Sequence, residues 1–135
     1  MMNNDVGVEV QVREESVTRF MQLLDLLLSD GTAFVRHADA PIDDTQAMPE
    51  IDKRTANSVF IGWYDNLYWY LLDAAEEMIY MRANKLCQPI GISGHELKTE
   101  LRNRKILYAD REDRFTYRFS RMTSRPRVLR IARLG

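Results

Sequence analysis

Ser93-Gly-His-Glu-Leu-Lys-Thr-Glu-Leu-Arg-Asn-Arg-Lys105, continued by Ile106-Leu-Tyr108 and closed by Arg127-Val-Leu-Arg-Ile-Ala-Arg133, decides the fold. Ser93 and Glu96 are spaced as a capping box, in which the hydroxyl accepts the Glu96 amide and the carboxylate reaches back to Ser93. A helix is therefore expected over 93–104. Leu97 and Leu101, one turn apart, are its inward residues. His95, Lys98, Thr99, Arg102 and Asn103 lie on the opposite side. Downstream, Phe115, Tyr117 and Phe119 alternate with Thr116, Arg118 and Ser120, a period of two that predicts a strand with one aromatic face. Asp110-Arg-Glu-Asp113 and Thr123-Ser-Arg-Pro126 read as turns, and Val128–Ile131 as a final strand.

Upstream, Asp73 is placed to cap a helix through Lys85, with Ala74, Ala75, Met78, Ile79 and Met81 inward. Before it, Ser58–Trp63 and Tyr68–Leu72 are β-branched and aromatic and flank a Tyr64–Leu67 turn, which predicts a hairpin. Residues 37–57 carry Pro41, Asp43, Asp44, Pro49 and Asp52 with weak periodicity and read as an acidic linker. Thr32–Arg36 is a short strand candidate. Ser16 stands at an N-cap position before Val17, Phe20, Met21, Leu24, Leu27 and Leu28, at helical spacing, with Gly31 as the stop. Val6, Val8, Val10 and Val12 alternate with polar residues and glycine, which predicts a short edge strand.

The expected class is α+β: a winged helix-turn-helix over 58–135, preceded by an N-terminal amphipathic helix and acidic linker over 1–57. Two helices joined by a short turn and followed by a β-hairpin have that layout. The chain of 135 residues, 45% apolar and 29% charged, has the composition of a globular protein. Its apolar runs fall well below the roughly 20 residues of a membrane span. The first twenty residues lack a signal-peptide core. The single Cys87 allows no internal disulfide. A cytoplasmic protein without membrane contact is expected.

The net charge of -1 conceals two opposed halves. Residues 98–135 hold twelve Lys and Arg against four Asp and Glu, a net of +8, and residues 1–97 hold seven against sixteen, a net of -9. Such asymmetry points to an external polyanion; the plainer reading is attraction between the halves. On the 93–104 helix, Arg102 and Asn103 are candidates for base edges, with Lys98, Thr99 and Ser93 placed for phosphates. Together with His95 and Lys105 they form the first candidate site, against the plain reading of a solvated helix face. Arg111, Arg114, Arg118, Arg121, Arg125 and Arg127 form the second, a cationic hairpin over 111–127 suited to phosphates. Protection of an edge strand by charge is its plain alternative. Trp63, Tyr64, Tyr68, Trp69 and Tyr70 could stack on bases, but the simpler reading is core.

Catalytic signals are weak. His37 and His95 are the only histidines, and no metal-ligand spacing, Gly-rich phosphate loop or G-x-S-x-G is present. His37 with Asp39, Asp43 and Asp44 lacks a pattern. No catalytic residue, metal or cofactor is expected.

The sequence Ile61-Gly-Trp-Tyr-Asp, then Tyr68-Trp-Tyr-Leu-Leu, an Ala-containing helix, Ile92-Ser93, paired leucines and a closing Arg-Val-Leu-Arg-Ile resembles a known module. It is the C-terminal winged-helix-like domain of helicase and primase-helicase proteins carried by plasmids, phages and mobile elements. The resemblance covers about residues 59–133. It implies a non-catalytic DNA-binding accessory domain in replication of a mobile element. It implies DNA, duplex or single-stranded, and a parent helicase or primase core as partners, with the 93–105 helix and the 111–127 hairpin as contact regions. The alternative is a protein-interaction or homo-oligomerisation module using the 17–28 helix.

Overall fold

The computed structural model describes residues 2–39, 58–122 and 124–133, with side chains from Gln11 onward. Among the described residues three helices lie over a five-stranded sheet, an α+β arrangement. The elements run α1 (Met2–Ser29), β1 (Ala33–His37), β2 (Val59–Tyr64), β3 (Tyr68–Leu71), α2 (Asp73–Lys85), α3 (Gly94–Asn103), β4 (Tyr117–Arg118) and β5 (Arg127–Ala132). The sheet order is β1-β2-β3-β5-β4. β1 runs parallel to β2, and every other pairing is antiparallel.

The expected β2–β3 hairpin forms with Asp65 in its turn, where Asp65 Oδ1 accepts the amides of Leu67 at 2.9 Å and Tyr68 at 2.8 Å. The β1–β2 register shifts after Phe34, which pairs with Phe60, so that Val35 meets Gly62. Gly62 has φ 145°, and a Cβ there would lie 2.0 Å from the Tyr70 carbonyl oxygen, so no other residue fits.

The sheet has two unlike faces. Toward the helices, Ile61, Leu71, Leu129 and Ile131 pack with Phe20, Leu24 and Leu27 of α1, Ala75 and Ile79 of α2, and Leu97 and Leu101 of α3. Residues on both sides of position 57 share this core. On the other face Trp63, Tyr70 and Val128 pack with Phe119 and Met122, and Trp63 stacks on Phe119 with centroids 4.5 Å apart.

The N-terminal expectations are corrected. Residues 6–12 belong to α1, not to a strand. Once 17–28 nucleates a helix, extending it adds one hydrogen bond per residue, whereas an isolated strand needs a partner edge. Ser16 is consequently no cap. It is 1% exposed, and its hydroxyl lies 2.7 Å from the Val12 carbonyl and 2.6 Å from that of Ile90, tying α1 to the α2–α3 connection. Asp73 is the first helical residue of α2; Leu72 occupies the cap with no side-chain bond. Met81, expected inward, is 70% exposed.

The α2–α3 connection covers residues 86–93, longer than the 3–4 residues of a tight helix-turn-helix. Ile90 anchors it in the core. Both flanking helices end in the same hydrogen-bond pattern. Cys87 donates to Asn84 and Gln88 to Ala83; Lys105 donates to Arg102 and Ile106 to Leu101. These are Schellman closures with a left-handed residue at the turn, here Cys87 and Lys105, both at φ 59°. Residues 40–57, expected as acidic linker, and Thr123 of the second turn lie outside the described residues. Among the described residues no helix is long and apolar enough to cross a membrane.

Candidate nucleic-acid interface

Helix α3 begins as the sequence predicts. The Ser93 hydroxyl accepts the Glu96 amide at 3.1 Å and donates to Glu96 Oε1 at 3.1 Å, so the carboxylate reaches the hydroxyl of Ser93. Leu97 and Leu101 are buried. The outward residues are less free than the sequence suggests. Phe115 folds back against them: His95 meets its ring edge-on at 5.2 Å and the Arg102 guanidinium covers it at 4.7 Å. Arg102 Nη1 also donates to the carbonyls of Glu112 at 3.0 Å and Arg114 at 3.4 Å. Lys98 Nζ lies 3.4 Å from Glu76 Oε2 of α2. The Thr99 hydroxyl donates to the His95 carbonyl at 2.9 Å. Asn103, at the helix end, is exposed.

The expected single hairpin over 111–127 is two structures. Leu107 bridges to Ile131 and Tyr117–Arg118 pair with β5, so both segments line the same edge. Residues 109–116 make an excursion between them. Phe115 therefore does not share a face with Tyr117 and Phe119: it packs toward α3, and they pack on the far side of the sheet. The strand periodicity fails because only two residues are in register before the chain turns.

The six hairpin arginines divide accordingly. In the excursion, Arg111 and Arg114 approach Asp113 Oδ1 at 3.5 and 4.0 Å. In the 119–126 turn, Arg121 is an anchor. It lies 3.4 Å from Asp65 Oδ2 and 3.9 Å from Asp39 Oδ1, and it covers the Tyr70 ring at 5.6 Å. Burial alone would raise the Asp65 carboxyl, but the Tyr70 hydroxyl, the Leu67 and Tyr68 amides and Arg121 outweigh it and hold it low. Burial first, and then Asp65, push the Tyr70 hydroxyl up. Arg118, Arg125 and Arg127 are exposed, and with Lys105 their side chains have no hydrogen bond, ion pair or ring contact among the described residues.

Two arginines that the sequence offered only as charge are also committed internally. Arg130 donates to the Tyr108 carbonyl at 3.1 Å and lies between the rings of Tyr117 at 4.0 Å and Tyr68 at 5.0 Å. Arg133 donates to the Asp65 carbonyl at 2.6 Å and covers Tyr64 and Trp69. The flanking tyrosines at alternate positions were the sequence signal for such stacking. Of the aromatic cluster, Trp63 and Tyr70 are buried, and Tyr64, Tyr68 and Trp69 are half-buried.

His37 Nδ1 accepts the Asp39 amide at 3.1 Å. Among the described residues no group of three His, Cys, Asp or Glu is placed to hold a metal ion. Asp43 and Asp44 lie outside the described residues. Cys87 is exposed. No family model, curated protein or solved structure matches the chain.

Proposed function

We propose that the chain is a non-catalytic DNA-binding module of winged-helix type, serving as an accessory domain in replication of a mobile element. DNA meets α3 and the cationic segments from 105 to 127. The observation that carries this reading is a group of side-chain cations, Lys105, Arg118, Arg125 and Arg127, unpartnered among the described residues. They lie in the segment 98–135, which carries a net charge of +8. Free cations concentrated on one segment are the footprint of a phosphate backbone. The layout supports the winged-helix description: α2 and α3 are inserted between β3 and the β4–β5 pair, and β5 lies between β3 and β4. Asn103, exposed at the end of α3, is the base-edge candidate left open. Arg102 is held by the 109–116 excursion in the free chain.

The test is a titration of the full chain on duplex and single-stranded DNA at several salt concentrations. Log affinity should fall with log salt at a slope of about -0.9 for each duplex phosphate neutralised. Absence of binding at low salt, or binding that ignores salt, contradicts the reading.

One observation favours a protein-interaction module instead. An open apolar groove of about 550 Å³ between α1 and α2 is lined by Leu27, Met78 and the exposed Met81. The apolar face of the 17–28 helix is otherwise consumed by the chain's own core. A concentration-dependent oligomer that ignores DNA would favour this second reading.

A further inference from the structure

We infer that Arg118 and Arg127 form a paired phosphate clamp on the helix-bearing side of the β4–β5 edge, and that this pair, rather than helix α3, sets the affinity for DNA. The inference rests on the DNA-binding reading and narrows it to sequence-independent backbone contacts.

The placement follows from register. Arg118 pairs with Arg127, and Tyr117 with Val128. Leu129 and Ile131 point into the core beneath the helices, and side chains alternate along a strand, so Arg127 projects to the helix side. Arg118, directly opposite, shares that side. Tyr117 and Val128 pack on the far face with Tyr70 and Phe119. Both arginines are exposed.

Like charges directly opposite on paired strands repel. Arg82, Arg102, Arg121 and Arg130 are each placed against a carboxylate, a carbonyl or a ring. Here two stand together with no such partner among the described residues. The nearby carboxylate of Asp110 accepts the backbone amide of Arg118 at 3.2 Å and pairs with neither guanidinium. Edge protection explains a cation on β4, the outermost strand. It does not by itself explain a second cation set directly opposite the first, as Arg127 of β5 is. An external anion satisfies both. A guanidinium fork matches phosphate oxygens in a bidentate fashion, and two such forks rooted about 5 Å apart can each take one phosphate.

Arg125 and Lys105 extend the same charge. Both hold left-handed backbone, at φ 47° and 59°, where glycine is the favoured residue. At each position the chain carries a cation with no partner among the described residues.

The experiment uses the full chain with Arg118→Gln, Arg127→Gln and the double variant, read by mixed-sequence duplex titration over salt and by unfolding without DNA. Each substitution should lower the magnitude of the log–log slope by about 0.9 and weaken every sequence alike. The unfolding midpoint of the free protein should hold or rise as the repulsion is relieved. If the wild type binds and the double variant keeps its affinity and slope, the clamp is overturned and the DNA-binding reading stands. A fall in the unfolding midpoint of the double variant gives the pair a structural role and also overturns the clamp. A wild type that fails to bind overturns both.

Discussion

Helix α3 and the β4–β5 edge are both rich in positive charge, and they use it in opposite ways. On α3, Lys98 meets Glu76, Arg102 is bonded to two carbonyls and stacked on Phe115, and the following Arg104 pairs with Glu100 at 2.9 Å. On the edge, Arg118 and Arg127 face each other without an anion among the described residues. Charge counted along a sequence is therefore not charge available to a ligand. The cations of α3 fasten the helix to α2 and to the 109–116 excursion, and Arg118 and Arg127 of the edge have no such partner among the described residues.

The largest test of this contrast attacks the anchoring of α3. Leu101 is fully buried, and Leu101→Ala should cost about 2–5 kcal/mol, seen as a lower denaturant midpoint. Next is Asp65, which holds the 119–126 turn through Arg121 and accepts from the Tyr70 hydroxyl at 2.7 Å. Asp65→Ala should cost about 2 kcal/mol at neutral pH, in line with the loss of charge-assisted hydrogen bonds. Its folded carboxyl is held below the ordinary value. The stabilisation is therefore complete above the unfolded value of about 4, and it is lost as pH falls below that toward the folded value. In Asp65→Ala this part of the acid limb should flatten, as an acid titration of the unfolding midpoint will show.

Arg102→Ala should cost about 1–2 kcal/mol, from its carbonyl bonds and its ring contact. Arg102→Lys should not restore it, because an ammonium does not reproduce a planar fork stacked on Phe115. If Arg102 only read bases, its loss would leave stability unchanged. The smallest effect belongs to Lys105. Left-handed backbone costs a non-glycine residue about 1–2 kcal/mol, partly offset by the flexibility glycine adds to the unfolded chain. Lys105→Gly should therefore stabilise by about 0.5 kcal/mol while weakening DNA binding.

The elements written in local signals were legible. The capping box at Ser93, the paired leucines of α3, the hairpin around Asp65 and the run of β1 all declare themselves within a few residues. What stayed hidden depends on distant partners. Nothing near Val6–Val12 says that a helix seeded at 17–28 will extend back through them. The helix stops at Cys87 and Lys105 carry no glycine to announce them. Phe115 continues an alternating pattern with Tyr117 and Phe119, yet it turns to α3 because the edge pairing begins only at Tyr117. The candidate site followed the same rule. Its residues could be named from charge, but which cations are spoken for depended on Glu76, Asp65, Tyr68 and the carbonyls of 112 and 114.

The most direct measurement follows the guanidinium Nε–H resonances of Arg118, Arg127 and Arg102 by NMR as duplex DNA is added to the full chain. The account predicts that the Arg118 and Arg127 signals move and saturate together, while that of Arg102, held at Phe115 and the 109–116 excursion, stays in place. Movement of Arg102 with Arg118 and Arg127 unchanged would contradict it.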